Sequence, residues 1–289
     1  MKRANSSRLT AHGSGRLGAG RKLLAVSCLL WLCACSRSPL PRPNGIVSLV
    51  PSVTEIIYAL GQESQLTGNT TFCDYPEAAR HVYKVGDFSN PNVERILRLK
   101  PRLVFATLPE QQTAVAWLKQ LGIKVLISRP NSFDSLFREI RAIGAALGAS
   151  ARTDSLVGSL QARLAQIPAP KQRPSVYLEI SEQPLMTVGR SSFINEIIER
   201  AGGRNAFADI DKEYPVVSQE QVIERNPDVI FLLHPMRDRT EFGKRLGWRV
   251  IAAVRNGQVL DDVNPDIVFR SGPRVVDAVE AIARRLYAQ

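Results

Sequence analysis

Apolar residues in this chain fall into short continuous runs separated by helical stripes. Runs rich in valine, leucine and isoleucine at 45–50, 102–107, 123–128, 175–180, 228–233 and 258–262 have the length and composition of strands covered on both faces. Between them, apolar positions at three- and four-residue steps predict helices at 51–60, near 110–121, and at 132–147, 149–167, 191–201 and 273–287. Gly61, Gly122 and the Gly202-Gly203 pair stand where three of these helices should stop. Strand–helix alternation of this kind specifies an α/β fold with largely parallel sheets.

The chain also repeats itself. Residues 92–105, NVERILRLKPRLVF, align without gaps on residues 218–231, SQEQVIERNPDVIF. Glu94 falls on Glu220, Pro101 on Pro227 and Phe105 on Phe231, with apolar pairs matched between them. Each copy reads as a capped helix, opened by Asn92 or Ser218, that leads through proline into a buried strand. A second echo pairs Glu55-Ile56-Ile57 and Gly61 with Glu196-Ile197-Ile198 and Gly202. Two similar α/β lobes are therefore expected, at 45–148 and 172–289. They are joined through 149–171 by one long rigid helix, in which Leu156, Leu160, Leu164 and Ile167 form the apolar stripe. At ~1.5 Å per residue that helix spans roughly 28 Å, about one domain. Ligands of open α/β sheets bind beyond the carboxyl ends of the strands, which makes the cleft between the lobes the expected site.

Charge and cysteine usage change the picture at one end only. The net charge of +11 suggests a nucleic-acid binder until it is located. Residues 1–34 hold six basic residues and no acid, which leaves 32 basic against 27 acidic residues in the remainder, a net of +5. Nucleic acid is therefore not an expected partner. A basic stretch followed by an apolar run from Leu23 to Ala34 has the layout of a secretory signal, shorter than a comfortable membrane span. It closes on Leu32-Cys33-Ala34-Cys35, which resembles a bacterial lipobox with Cys35 as the lipidated residue. The proline-rich stretch 35–44 then reads as a tether. Of four cysteines only Cys73 lies beyond residue 35, so an exported body would have no internal disulfide and must be held by its core.

The motifs within this frame resemble those of the cobalamin and iron-chelate periplasmic binding proteins. The resemblance rests on IVSLVPSVTEIIYALG at 46–61, TTFCDYP at 70–76, VGDFSNPNVE at 85–94, LKPRLV at 99–104 and DIVFRSGPR at 266–274. It covers essentially all of 45–289 and is strongest to the vitamin B12-binding branch. It implies a two-lobed, non-enzymatic carrier that takes no cofactor of its own. The carrier would hand cobalamin or another corrinoid, such as cobinamide, to an ABC importer, a permease dimer with its cytoplasmic ATPase. It implies a place in the periplasm or at the cell surface, with the chain monomeric and held to a membrane by its lipid. Matched positions give Phe72, Tyr75, Phe88 and Tyr214 as aromatic ligand contacts, suited to a large flat macrocycle. Asp266 and Arg270 are matched as polar contacts. Thr107 stands where the cobalamin binder has a further tryptophan.

Glu94 and Glu220 alone would be first-turn helix acids on a solvated face. As a pair in duplicated lobes they suit a two-fold symmetric permease, and the resemblance implies that they dock on it. His234 falls opposite Leu108 in the repeat register, at the expected rim, where an imidazole could serve as an axial metal ligand. His81 reads as a surface residue, and Cys73 as a soft cobalt contact or a small buried neighbour. Haem or a ferric siderophore is the alternative cargo, with His234, Tyr75 or Tyr214 available to haem iron. A lipid-anchored hydrolase is the remote alternative: the chain has no Gly-x-Ser-x-Gly elbow, P-loop, His-Glu-x-x-His or Cys-x-x-Cys.

Overall fold

The computed structural model describes residues 44–168, 172–235, 242 and 244–287. The leader, Cys35 and most of the tether lie outside the described residues. Two four-stranded parallel sheets organise the rest. The first runs β2 (Leu66–Asn69), β1 (Ile46–Ser48), β3 (Leu103–Ala106), β4 (Val125–Ile127). The second runs β8 (Arg204–Asn205), β5 (Ser175–Glu179), β9 (Val229–Leu232), β10 (Val259–Leu260). Pairing fixes their equivalence, because Ile46 lies opposite Leu103 as Val176 lies opposite Val229. The sheets therefore have the same strand order, with β1 equivalent to β5 and β3 to β9.

The duplicated segment is duplicated in conformation as well. Helix α2 (Val93–Arg98) is capped by the Asn92 carboxamide, and α7 (Gln219–Arg225) by Ser218 in a reciprocal capping box with Gln221. Each helix then turns through a left-handed residue, Lys100 (φ 46°) or Asn226 (φ 44°), immediately before its proline. Those prolines lead into β3 and β9. Glu94 and Glu220 sit in exposed first turns, as the sequence predicts.

The predicted helices form with shifted ends. Helix α1 is Pro51–Ala59, with proline at its first position. Helix α3 is Gln112–Gln120 and α4 is Phe133–Leu147. The helix expected at 191–201 begins only at Phe193 (α6, Phe193–Arg200), because Ser192 is spent as its cap. The joining helix α5 spans Ser150–Ala165 rather than 149–167. Strand β2 escapes a search for apolar runs because LTGN is half polar, although every residue of it is buried. The short hairpin of β6 (Ser181–Glu182) with β7 (Leu185–Met186) is likewise not predicted, and its pairing is antiparallel. The remaining helices include α8 (Ala252–Arg255), α9 (Pro265–Phe269) and α10 (Val275–Tyr287).

The joining helix is only part of what unites the lobes. One continuous apolar core takes in Ile46, Val53 and Phe105 from the first lobe, Phe133 and Ile140 from α4, Val157 and Leu160 from α5, and Val176, Ile197 and Val279 from the second. Helix α5 packs tightly on α4, where Gly144 leaves no room for a β-carbon beside Thr153. Its far end reaches α10 through Arg163, paired with Asp277 at 2.6 Å and Glu280 at 2.8 Å. Two lobes sharing a core pivot less readily than two lobes joined by a helix alone.

Candidate functional site

The carboxyl ends of the first sheet open on a cleft of about 400 Å³ lined by both lobes. Val50 to Ser52 follow β1, Phe72 follows β2, Thr107 and Leu108 follow β3, and Ser128 to Asn131 follow β4, as expected for ligand sites of open α/β sheets. The second lobe contributes Phe193, Glu213, Tyr214, Asp266 and the segment Phe269 to Ser271.

Five of the six predicted contacts lie on this wall: Phe72, Phe88, Tyr214, Asp266 and Arg270. Phe72 and Phe88 meet edge to face with centroids 6.5 Å apart, a favourable aromatic geometry. Phe72, Tyr214 and Phe269 are 55, 41 and 41% exposed, an unusual amount of ring surface to leave in water. Tyr75 does not line the cleft. Its ring is covered by the Arg274 guanidinium 3.7 Å from the centroid, in a cation–π stack that turns it away.

Arg270 lines the cleft with its charge already engaged. One terminal nitrogen lies 2.6 Å from Asp74 and 3.5 Å from Glu55, and the other lies 3.2 Å from Asp266. Arg274 holds the buried Glu55 carboxylate through two hydrogen bonds of 2.8 and 2.5 Å. This cluster ties α1 and the 70–76 loop of the first lobe to the segment after α9 in the second. Across the cleft a second inter-lobe pair joins Arg129 to Glu213 at 3.1 Å.

Nothing in the local sequence singles out the residues that position these groups. Lys84 donates to Asn69 Oδ1 and to the carbonyls of Thr70, Cys73 and Ala79, holding the loop that carries Phe72. Burial lowers its pKa. The buried Gln111 carboxamide donates to the carbonyls of Leu49 and Phe88 and accepts from the Thr107 amide, fixing Phe88 against the ends of β1 and β3. Arg129, Glu213 and Glu110 come together only through the fold. Cys73 is buried, with its sulfur 3.3 Å from the Thr70 hydroxyl, and burial pushes its thiol pKa up. It is not on the cleft wall. His81 is exposed, as predicted.

His234 departs from its expected place on the rim. Leu108, its repeat equivalent, lines the cleft, but His234 Nε2 sits 2.8 Å from Glu179 Oε1. Glu179 ends β5, is fully buried, and is clamped by Arg245 at 2.7 and 2.8 Å. Its equivalent in the first lobe is Leu49. Arg245 stacks on Phe242 and Trp248 and also reaches Glu182 at 3.1 Å. The strand ends that open on ligand space in the first lobe are thus filled by a polar plug in the second, and the imidazole belongs to that plug. Among the described residues, no three His, Cys, Asp or Glu side chains are grouped to hold a metal ion.

Duplicated parallel sheets, a shared core and an aromatic cleft between lobes define a binding-protein architecture. The chain belongs to the periplasmic binding protein family, whose sequence profile matches residues 46–269. It is 38% identical over 257 residues to YvrC of Bacillus subtilis, an uncharacterised ABC transporter substrate-binding lipoprotein; the alignment covers 85% of this chain and 81% of the relative. The crystal structure of the periplasmic vitamin B12 binding protein BtuF of Vibrio cholerae has a TM-score of 0.68 and 31% identity, covering 86% of this chain and 98% of the other. The periplasmic haem-binding protein RhuT of Roseiflexus sp. RS-1 has a TM-score of 0.74 and 27% identity, covering 85 and 98%.

Proposed function

We propose that this chain is the substrate-binding component of an ABC importer, exported and lipid-anchored through Cys35, and that its cleft carries a corrinoid rather than catalysing a reaction. The observation that carries the reading is the convergence of Phe72, Phe88, Tyr214 and Phe269 on one solvent-open cleft. A broad macrocycle with an apolar face would cover those rings and recover the surface they expose.

The likeness to a haem-binding structure makes haem the second reading. Ferric haem wants an imidazole or phenolate from the protein. Among the described cleft residues Tyr214 is the sole candidate of that kind. Partial burial, and then the negative charges of Glu213 and Glu110, raise its pKa, while Ser192 and Arg129 act against them. The raised pKa works against the phenolate form that would ligate iron. A corrinoid such as cobalamin brings its own axial ligands and needs none from the wall.

Calorimetric titration with cyanocobalamin and with haemin separates the two. One-to-one cobalamin binding, weakened by about 1–3 kcal/mol in Tyr214→Ala, is the expected result for loss of an aromatic anchor. Haemin binding alone, with a shifted Soret band, would replace the cargo and keep the fold.

Glu94 and Glu220 support the importer half of the proposal, since equivalent turns of the two repeats present them to solvent. Against the cognate importer in proteoliposomes, Glu94→Arg and Glu220→Arg should each slow uptake, and the double variant should abolish it. Ligand affinity should stay unchanged. Uptake at the wild-type rate by the double variant would remove both residues from docking.

A further inference from the structure

The charges on the cleft wall narrow the cargo within the corrinoid reading, on which this inference rests. The described lining residues include three carboxylates, Glu110, Glu213 and Asp266, and two guanidinium groups, Arg129 and Arg270. Both arginines are already neutralised. Arg129 pairs with Glu213 at 3.1 Å, and Arg270 lies 2.6 Å from Asp74 and 3.2 Å from Asp266. Glu110 makes no ion pair among the described residues and so adds an uncompensated negative charge. Immediately behind the wall the charges balance, with Glu55, Asp74 and the Arg80 partner Glu77 against Arg274, Arg80 and Lys84, so the surplus is the single charge of the lining. Arg80 and Lys84 donate hydrogen bonds to carbonyls of the 70–79 loop.

A wall with a negative surplus and no free cation is poorly suited to an anion. An anion received at Arg129 or Arg270 would share the guanidinium with a carboxylate already paired to it and would meet that carboxylate's repulsion. A cobalt(III) corrin with one cyanide ligand carries a single positive charge. In cobalamin the phosphodiester of the nucleotide loop cancels that charge, and a corrinoid without the loop keeps it. We propose that this cleft selects a cationic, phosphodiester-free corrinoid of the cobinamide type over cobalamin, and rejects anionic iron chelates. Unit charges at cleft distances in a partly aqueous site make the preference about ten-fold at low salt.

Competition between cyano(aqua)cobinamide and cyanocobalamin on the purified protein tests this. Cobinamide should bind about ten-fold tighter at about 0.02 M salt, and most of the preference should disappear by about 0.5 M as the Debye length shrinks. Glu110→Gln, an exposed substitution that leaves the fold intact, should reduce the preference several-fold. Glu110→Gln with Glu213→Gln, which also frees Arg129, should reduce it further or reverse it. Arg129→Gln should enlarge it. Equal or tighter cobalamin binding by the wild type would overturn the inference and leave the corrinoid reading in place. A cobinamide preference insensitive to salt and to both glutamates would show that shape, not charge, sets it, and would also overturn the inference. Failure of both corrinoids to bind would remove the corrinoid reading and this inference together.

Discussion

Replacing Arg245 with alanine is expected to lower folding stability by about 3–5 kcal/mol, the cost of leaving a buried charge without its partner. Glu179 is fully buried at the end of β5, and the two Arg245 hydrogen bonds of 2.7 and 2.8 Å occupy both of its oxygens. His234 at 2.8 Å would remain, but its one contact does not replace the two guanidinium hydrogen bonds. The guanidinium also packs 4.4 Å from the Phe242 ring centroid and 4.6 Å from that of Trp248, so truncation removes stacking as well as charge. Urea unfolding should show a lower midpoint with an unchanged slope. Replacing both partners by apolar residues, Arg245→Met with Glu179→Leu, should recover most of the loss, because the expense lies in the unpaired ion. A fall below about 1 kcal/mol in the single variant would mean that the carboxylate is solvated after all.

That plug marks where the sequence stops being informative. Local pattern reveals the repeat in detail: residues 92–105 and 218–231 correctly predict two capped helices, two proline-led strands and two exposed glutamates. These features are encoded within a dozen residues of each other. Glu179, Arg245 and His234 are brought together across 66 positions, and nothing local distinguishes a glutamate at a strand end that will be buried from one that will be solvated. The repeat register even misleads here, since it carries His234 to the rim occupied by Leu108. The side chain instead follows the charge on Glu179, which has no counterpart at Leu49. Tyr75 fails for a similar reason. Its motif neighbours Phe72 and Phe88 reach the cleft, but Arg274, nearly 200 residues away, captures its ring.

The same kind of long-range chemistry ties the two lobes together beside the cleft, and Arg274→Ala is expected to show what that tie contributes. Arg274 reaches from the second lobe to the Glu55 carboxylate of the first, whose side chain is only 2% exposed. Without it, Glu55 would keep Arg270 at 3.5 Å, a weak substitute already shared with Asp74 and Asp266. A stability loss of about 3 kcal/mol is expected, the low end for a broken buried pair because Arg274 retains some contact with water. The loss of the clasp should also release Tyr75 and let Arg270 shift, so ligand affinity should fall about five- to ten-fold, or roughly 1 kcal/mol. Small-angle scattering separates the two restraints on the lobes. The shared core through α4 and α5 should keep the radius of gyration of Arg274→Ala at the wild-type value, with and without ligand. An expansion of the free variant that ligand reverses would instead assign the lobe orientation to the Glu55–Arg274 clasp. The cleft would then be a hinge held shut by one ion pair rather than a groove cut into a single rigid core.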